Sequence, residues 1–397
     1  MRRPQVPRLV SSSLLGRLVF GMAGLAIVLL VRDAAGSYAL AGLAAGSFAL
    51  GTGLASPLVG RMVDRSGQTR VLLACAVVCA GAFSSLGLVA GRGPSGLLPL
   101  LAGVGGAAVP PIGACMRSLW SSIVGQGTEL QTAFAFEATT QEVVFVTGPL
   151  LVVTLIAVAS PPAAMLAIAA AVLVGTSLFA ATPASRSWRP VARERDWAGA
   201  LRGQGVRTGL MLSALMAAAF GAIEVTVPAV AEQLGNRALS GLFLSLWSGG
   251  SMLGGLVAGG LTSGRGPERR VVVLLGAVTV GLAPLLVAAV AVVTFAVCMP
   301  LAGVSIAPTI ACLYLLIDRS APAGTVTEAF TWVSSSFTAG IAFGSALAGA
   351  LVQHVSPTAA FALALCLMSA ATLLARLRRP TLVGAAPALD PEPAGAA

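Results

Sequence analysis

Apolar runs of about twenty residues recur along the whole chain, separated by short segments where Gly, Pro and Arg concentrate. A helix needs roughly 20 apolar residues to cross the hydrocarbon core of a bilayer. Twelve such spans joined by short turns use most of the 397 residues and leave no room for a sizeable soluble domain. Composition agrees: charged residues make up only 10% of the chain and hydrophobic residues 57%, with a mean hydropathy of +0.92. Soluble domains carry about a quarter charged residues, so a globule with this composition could not cover its own surface. The expected neighbour is lipid.

Punctuation by Gly, Pro and charge predicts spans at about 12–31, 37–59, 70–90, 96–116, 131–157, 162–181, 208–231, 239–260, 326–351 and 358–375. The run from Val271 to Ile317 is too long for one helix and is divided near Val290, which brings the count to twelve. All 24 basic residues are Arg, and their distribution sets an orientation. With the N-terminus inside, the inner segments hold Arg61, Arg65, Arg70, Arg117, the six Arg of 186–207, Arg265, Arg269, Arg270 and Arg319, whereas the outer ones hold only Arg32, Arg92 and Arg237. Cytoplasmic loops carry such an excess of positive charge. Both termini are therefore expected in the cytoplasm of a plasma (inner) membrane. The basic stretch Met1 to Arg8 reads as the start of the first span and not as a signal peptide, because no small-residue cleavage site follows.

An internal repeat organises the spans. Arg65 and Arg265, Arg70-Val71 and Arg270-Val271, and Leu101-Ala102-Gly103-Val104 and Leu301-Ala302-Gly303-Val304 are 200 residues apart. Further on, Ala133-Phe134 and Ala329-Phe330, and Gly148 and Gly344, match at an offset of 196. An offset of six spans keeps orientation the same, which makes the halves parallel repeats about an axis along the membrane normal. The expected organisation is a six-helix bundle at 1–182, a cytoplasmic linker at 183–207, a second bundle at 208–380 and a disordered tail at 381–397.

Several function classes are set aside. The net charge of +10 lies in inner segments with no interleaved aromatics to stack bases, so nucleic acid is not a partner. Six Cys sit within apolar stretches without a Cys-x-x-Cys pair, and the only His is His354; these read as small apolar filler, with no metal and no cofactor. No nucleotide-binding Gly-x-x-x-x-Gly-Lys loop exists, which argues against an ATP-driven pump. No catalytic residue is assigned: the chain reads as a carrier, not an enzyme.

The segment after the second span reads Gly60-Arg61-Met62-Val63-Asp64-Arg65-Ser66-Gly67-Gln68-Thr69-Arg70. It resembles the signature Gly-x-x-x-Asp-Arg-x-Gly of the major facilitator superfamily, as do the twelve spans, the six-plus-six repeat and the basic central segment. The resemblance implies an all-α membrane protein with the two halves rocking about a central site. It also implies that Gly60, Asp64, Arg65, Gly67 and Arg70 form a loop latching the halves in the outward-facing state. Asp64 can pair with Arg65 or Arg70, or accept from a neighbouring helix N-terminus. One basic position of the signature, at Gln68 or Thr69, is missing. The second copy, Gly260 to Arg270, has lost the acid, which implies an asymmetric latch. Gly148-Pro149 in the fifth span keeps the first two residues of a motif found in efflux members, and the Arg that drug–proton antiporters carry early in the fourth span is Pro99 here.

Charges inside the spans are the candidate site. An acid at mid-membrane costs about 2.5–3.5 kcal/mol to insert, so Glu137, Glu142, Glu224 and Arg17 need a reason to be there. Arg17 and Glu137 are each expected five or six residues from their inner boundaries, close enough to bridge if spans one and five touch. Glu142 lies deeper and about 140° round the helix from Glu137, so it faces a different neighbour and suits a proton carrier. The repeat counterparts of Glu137 and Glu142 are Val333 and Thr338, so fold symmetry does not require the acids. Glu224, with Pro228 just beyond, suits a cationic substrate or a proton. Glu129 and Glu328 read as helix N-terminal acids favoured by the dipole. Stripes at Gly42/Gly46, Gly250/Gly254, Gly255/Gly259 and Gly340/Gly344 read as close-packing faces and as sliding surfaces between halves; Pro110, Pro111 and Pro308 are expected to bend spans four and ten. The resulting expectation is a monomeric, multi-pass secondary transporter in the bilayer, a proton-driven antiporter exporting a small organic compound. A nutrient or sugar importer, and a non-transporting membrane sensor, are the alternatives.

Overall fold

The computed structural model describes residues 6–35, 38–125, 127–189, 198–236, 239–260, 266–288 and 291–383. Among these residues there is no strand, and twelve helices are long and apolar enough to cross a membrane. In a bilayer this is the economical solution, because a helix satisfies its own backbone polar groups where no water can. The spans, numbered in chain order, are span 1 (Val6–Ala35), span 2 (Leu40–Ser66), span 3 (Gln68–Val89), span 4 (Leu97–Val124), span 5 (Thr128–Val158) and span 6 (Pro161–Ala180). The second set comprises span 7 (Gln204–Gln233), span 8 (Leu239–Ala258), span 9 (Pro267–Val287), span 10 (Val292–Ser320), span 11 (Val326–His354) and span 12 (Pro357–Leu377). Val290, where the long apolar run was divided, lies outside the described residues, between spans 9 and 10.

The packing repeats as the sequence does. Span 1 packs on spans 5 and 6, span 2 on span 4, and span 3 on span 6; span 7 packs on spans 11 and 12, span 8 on span 10, and span 9 on span 12. Contacts between halves come in matching pairs, span 2 on span 11 with span 8 on span 5, and span 5 on span 10 with span 11 on span 4. A two-fold relation between two like bundles produces that pattern. Local features repeat with it. Ser160 accepts from the Ala163 N–H at 3.3 Å to cap span 6, and Ser356 accepts from the Ala359 N–H at 3.1 Å to cap span 12, each followed by Pro in the first turn.

Spans 4 and 10 are both interrupted, at Ala108–Pro111 and at Val304–Ser305. In span 4 the prolines coincide with the break. In span 10 the break comes before Pro308, which sits in the first turn of the following segment, where a missing N–H costs nothing.

Three apolar cores hold the molecule. One lies wholly in spans 7–12 and its flanking residues, and one in spans 1–6. The third joins the halves, with Val63, Leu119, Trp120 and Phe134 of the first set meeting Leu210, Tyr314, Ile317 and Phe330 of the second. It lies at the end of the bundle where span 1 begins and span 12 ends, which is also the Arg-rich end. Two expectations change there. Span 1 begins at Val6, six residues early, because Val6 and Leu9 are buried in this joint core. The start of the tail is docked as well: Arg379–Leu382 is helical, Leu382 is buried, and the Thr381 and Thr208 hydroxyls are 2.8 Å apart. Residues 384–397 and 190–197 lie outside the described set.

Candidate functional site between the halves

The signature segment is mostly helix, not loop. Span 2 continues to Ser66 and span 3 starts at Gln68, so Gly67 alone makes the turn, at φ +91°. Only glycine takes that conformation without strain. Asp64, buried on the last turn of span 2, accepts from the backbone N–H of Thr327 at 3.2 Å and of Glu328 at 2.7 Å. It therefore caps span 11 from the other half, placing a carboxylate on the positive end of that helix. Arg65 and Arg70 are exposed and form no ion pair among the described residues, so they do not hold Asp64. Arg61 does reach across, its Nη2 2.7 Å from Glu328 Oε1. Gly60 permits the approach, since a Cβ there would strike the Thr331 side chain. Gln68 is buried, and its amide donates to the Ser118 hydroxyl at 3.2 Å within the first half.

In the second copy, residues 261–265 are outside the described set. Arg270, at the start of span 9, donates to Gln131 Oε1 at 3.4 Å. A small cavity lined by Thr128, Gln131, Thr132, Arg270, Pro308 and Cys312 adjoins this contact.

Deeper in the bundle, Arg17 Nη1 lies 2.6 Å from Glu137 Oε1, and Arg17 Nη2 donates to Gln141 Oε1. Spans 1 and 5 do touch. Both residues are further in than expected, eleven residues past Val6 and nine past Thr128, or about 16 and 14 Å at 1.5 Å per residue. The Trp120 indole N–H completes the shell of Glu137 at 3.5 Å. Arg117, expected in a loop, is instead 4% exposed inside span 4. Its Nη1 is 4.0 Å from Glu137 Oε1, and its Cζ stands 4.7 Å from the Tyr314 ring centroid and 5.2 Å from that of Phe330. The cluster thus holds two cations and one anion. The rings of spans 10 and 11 supply what one carboxylate cannot, a cation–π contact worth about 2 kcal/mol when desolvated.

Glu142, half-buried at mid-membrane, has a different environment. Its Oε1 accepts from Ser251 Oγ of span 8 at 3.3 Å, across the halves. Glu224 is exposed on span 7 and has no hydrogen bond or ion pair among the described residues. Aromatic rings meet one helical turn from Glu224 and from Ser251. Phe220 is one turn from Glu224, Trp247 is one turn from Ser251, and their rings meet at 5.2 Å in an edge contact, with Phe337 6.5 Å from Phe220. Residues four apart on a helix share a face, so the ring pair lies on the helix faces that carry Glu224 and Ser251.

The glycine stripes mostly pack within a half. A Cβ on Gly250 or Gly254 would run into Pro300 or Val304 of span 10, and one on Gly340 or Gly344 into Ala214 or Ala218 of span 7. Gly148 lies against the backbone of Gly21 where spans 1 and 5 cross. Gly42 and Gly46 have open space around them. Gly259 falls outside the described side chains. One stripe glycine does face the other half, Gly255 of span 8 against Thr139 of span 5, and outside the stripes Gly60 and Gly53 of span 2 face span 11. Ser335 Oγ donates to the Gly53 carbonyl at 2.6 Å on the second of these surfaces.

A family model described as Major Facilitator Superfamily matches residues 9–330. No curated protein matches the chain. Among solved structures, a bacterial homologue of the iron transporter ferroportin in an outward-facing state is 18% identical, with 96% of this chain and 100% of that chain covered and a TM-score of 0.74. The human organic anion transporter MFSD10 (TETRAN) is 16% identical over 94% of this chain and 100% of its own, also at TM-score 0.74. The E. coli fucose:proton symporter FucP is 14% identical over 95% and 99%, at 0.70. At these identities the likeness is one of fold. It agrees with the repeat, the paired contacts between halves and the site between them: the chain is a multi-pass membrane transporter, not an enzyme, and belongs to the Major Facilitator Superfamily.

Proposed function

We propose that this protein is a secondary active transporter that works by alternating access as a monomer in the plasma (inner) membrane, exporting a small organic compound in exchange for protons. The Arg-rich end is cytoplasmic on this reading, following the positive-inside rule. The halves then meet on the cytoplasmic side, the arrangement of an outward-facing carrier. One observation carries the proton coupling: among the described residues the intramembrane carboxylates Glu142 and Glu224 have no ion pair, Glu142 reaching across the halves to Ser251, whereas Glu137 is paired. Intramembrane acids of this kind mark proton relays and substrate paths. Glu142 is the primary proton site, since its Ser251 contact exists only while the halves are together there. Glu224 and the ring pair give a surface for an organic substrate with an apolar body. Export over import rests on Gly148-Pro149. Arg17 and Glu137 hold spans 1 and 5 together, and Gly60, Asp64, Gly67 and Arg61 form the latch.

The test is a compound screen in proteoliposomes carrying a pH-sensitive dye and an imposed pH gradient. An exchanged compound dissipates the gradient on addition, and the side from which it acts gives the direction. If no compound that the protein demonstrably translocates moves protons, the coupling is wrong.

A further inference from the structure

Glu328 is more than a helix N-terminal acid. It is wholly buried, and its Oε1 has donors from two separate parts of the chain, the Arg61 guanidinium of the first half at 2.7 Å and the Ala200 backbone N–H at 3.3 Å. Ala200 belongs to neither bundle. It lies in the segment that joins them, on a 3₁₀ turn at Gly199–Arg202. That turn is built to fit: Gly199 takes φ +51°, and a Cβ on it would run into both carboxylate oxygens of Glu328. Ala200 is fully buried within the apolar core that joins the halves, and Leu201 packs on its edge. At the far side of the turn Gly203 approaches Pro322 in the connection between spans 10 and 11. The joining segment thus packs on spans 7 and 11 beside Glu328, at the point where Arg61 of the first half reaches the second.

We propose that the Gly199–Arg202 turn is a seated component of the cytoplasmic lock, so that opening toward the cytoplasm loosens its seat on Glu328. The physical reason is direct. A carboxylate in that position needs its donors, and the Ala200 N–H fixes the oxygen that Arg61 grips. When the halves separate at this end, Arg61 withdraws with span 2, and the Ala200 N–H is then bonded to a carboxylate newly open to water. Seating the turn favours the closed state, and unseating it favours the open one. Whatever binds or constrains this segment then biases the transport cycle without touching the substrate path.

This rests on the alternating-access reading for the existence of two states, and one experiment separates the two claims. Spin labels at Ser66 and Arg269, both exposed at the cytoplasmic ends of opposite halves, report closed and open populations by double electron–electron resonance in a cysteine-free background. A single distance under all conditions in the unmodified sequence would overturn alternating access. Given two distances, Gly199→Ala is expected to raise the open-to-closed ratio about tenfold, because the left-handed strain of a Cβ falls only on the seated turn. Ala200→Pro deletes the donated N–H and is expected to shift the ratio the same way by an independent route. In the Glu328→Gln background the further effect of Gly199→Ala should be clearly smaller than in its absence, since both act on one seated unit. The proposal is overturned if neither linker variant moves the ratio, or if the Gly199→Ala and Glu328→Gln effects simply multiply.

Discussion

The guanidinium of Arg117 lies over the ring of Tyr314, 4.7 Å from its centroid, and the two residues belong to opposite halves of the molecule. The cation is the surplus one of a buried cluster in which Glu137 is already taken by Arg17. Separation of the halves would strip Arg117 of its aromatic cover while leaving the Arg17–Glu137 pair intact within the first half. The cluster therefore divides into a permanent part and a state-dependent part.

Arg117→Leu should accordingly weaken the closed arrangement without breaking the first bundle. Loss of a desolvated cation–π contact of about 2 kcal/mol predicts a ten- to thirtyfold rise in the cytoplasm-open population. Single-molecule fluorescence transfer between the cytoplasmic ends of the halves reads that ratio; an unchanged ratio would assign Arg117 to the first bundle alone.

Within the cluster, the two partners of the short pair are unequal. Arg17→Gln leaves Arg117 to balance Glu137, whereas Glu137→Gln leaves two buried cations facing each other. Breaking a buried pair costs about 3–5 kcal/mol, and Glu137→Gln should be the costlier single change. Joint replacement by Met at both positions should recover much of the loss. Thermal unfolding in detergent gives the order, and a costlier Arg17→Gln would mean that Arg117 does not share the carboxylate.

At the latch, Asp64→Asn keeps the shape but removes the charge from the N-terminus of span 11. A dipole effect of about 0.3–2 kcal/mol predicts a two- to thirtyfold shift toward the cytoplasm-open state. Because Arg65 and Arg70 are exposed, Arg70→Gln should shift it far less. Accessibility of a cysteine on span 11 to a cytoplasmic thiol reagent measures both.

Small residues offer a contrast in packing. Gly148→Ala forces a methyl into the backbone of Gly21, where overpacking costs about 1–3 kcal/mol, whereas Gly46→Ala meets open space. The first should lower the unfolding temperature by several degrees and the second should leave it near wild type.

The spans, the repeat and the pairing of Arg17 with Glu137 were legible because each rests on spacing: apolar length, a constant offset, and equal depth on touching helices. What was not legible rests on contacts between residues far apart in sequence. Arg117 reads as an inner-loop cation, yet Leu119, Trp120 and Ile123 continue the apolar run beyond it, and that continuation was the available signal. Glu328 meets Arg61 across 267 positions and Ala200 across 128, and no local pattern announces either. The glycine stripes were visible as stripes, but whether they face a partner within a half or across it depends on how the bundles turn. Gly67 shows the opposite case, since a lone Gly between two helical patterns marks a one-residue turn once both helices are allowed to run their full length.

Proton flux through Glu142→Gln is the most direct test of the account as a whole. Reconstituted wild-type protein should move protons in strict exchange for its substrate. The variant, expressed and folded normally, should still bind substrate and exchange it across the bilayer, but should neither dissipate a pH gradient nor concentrate substrate against one. Proton-coupled flux equal to wild type in that variant would contradict the account.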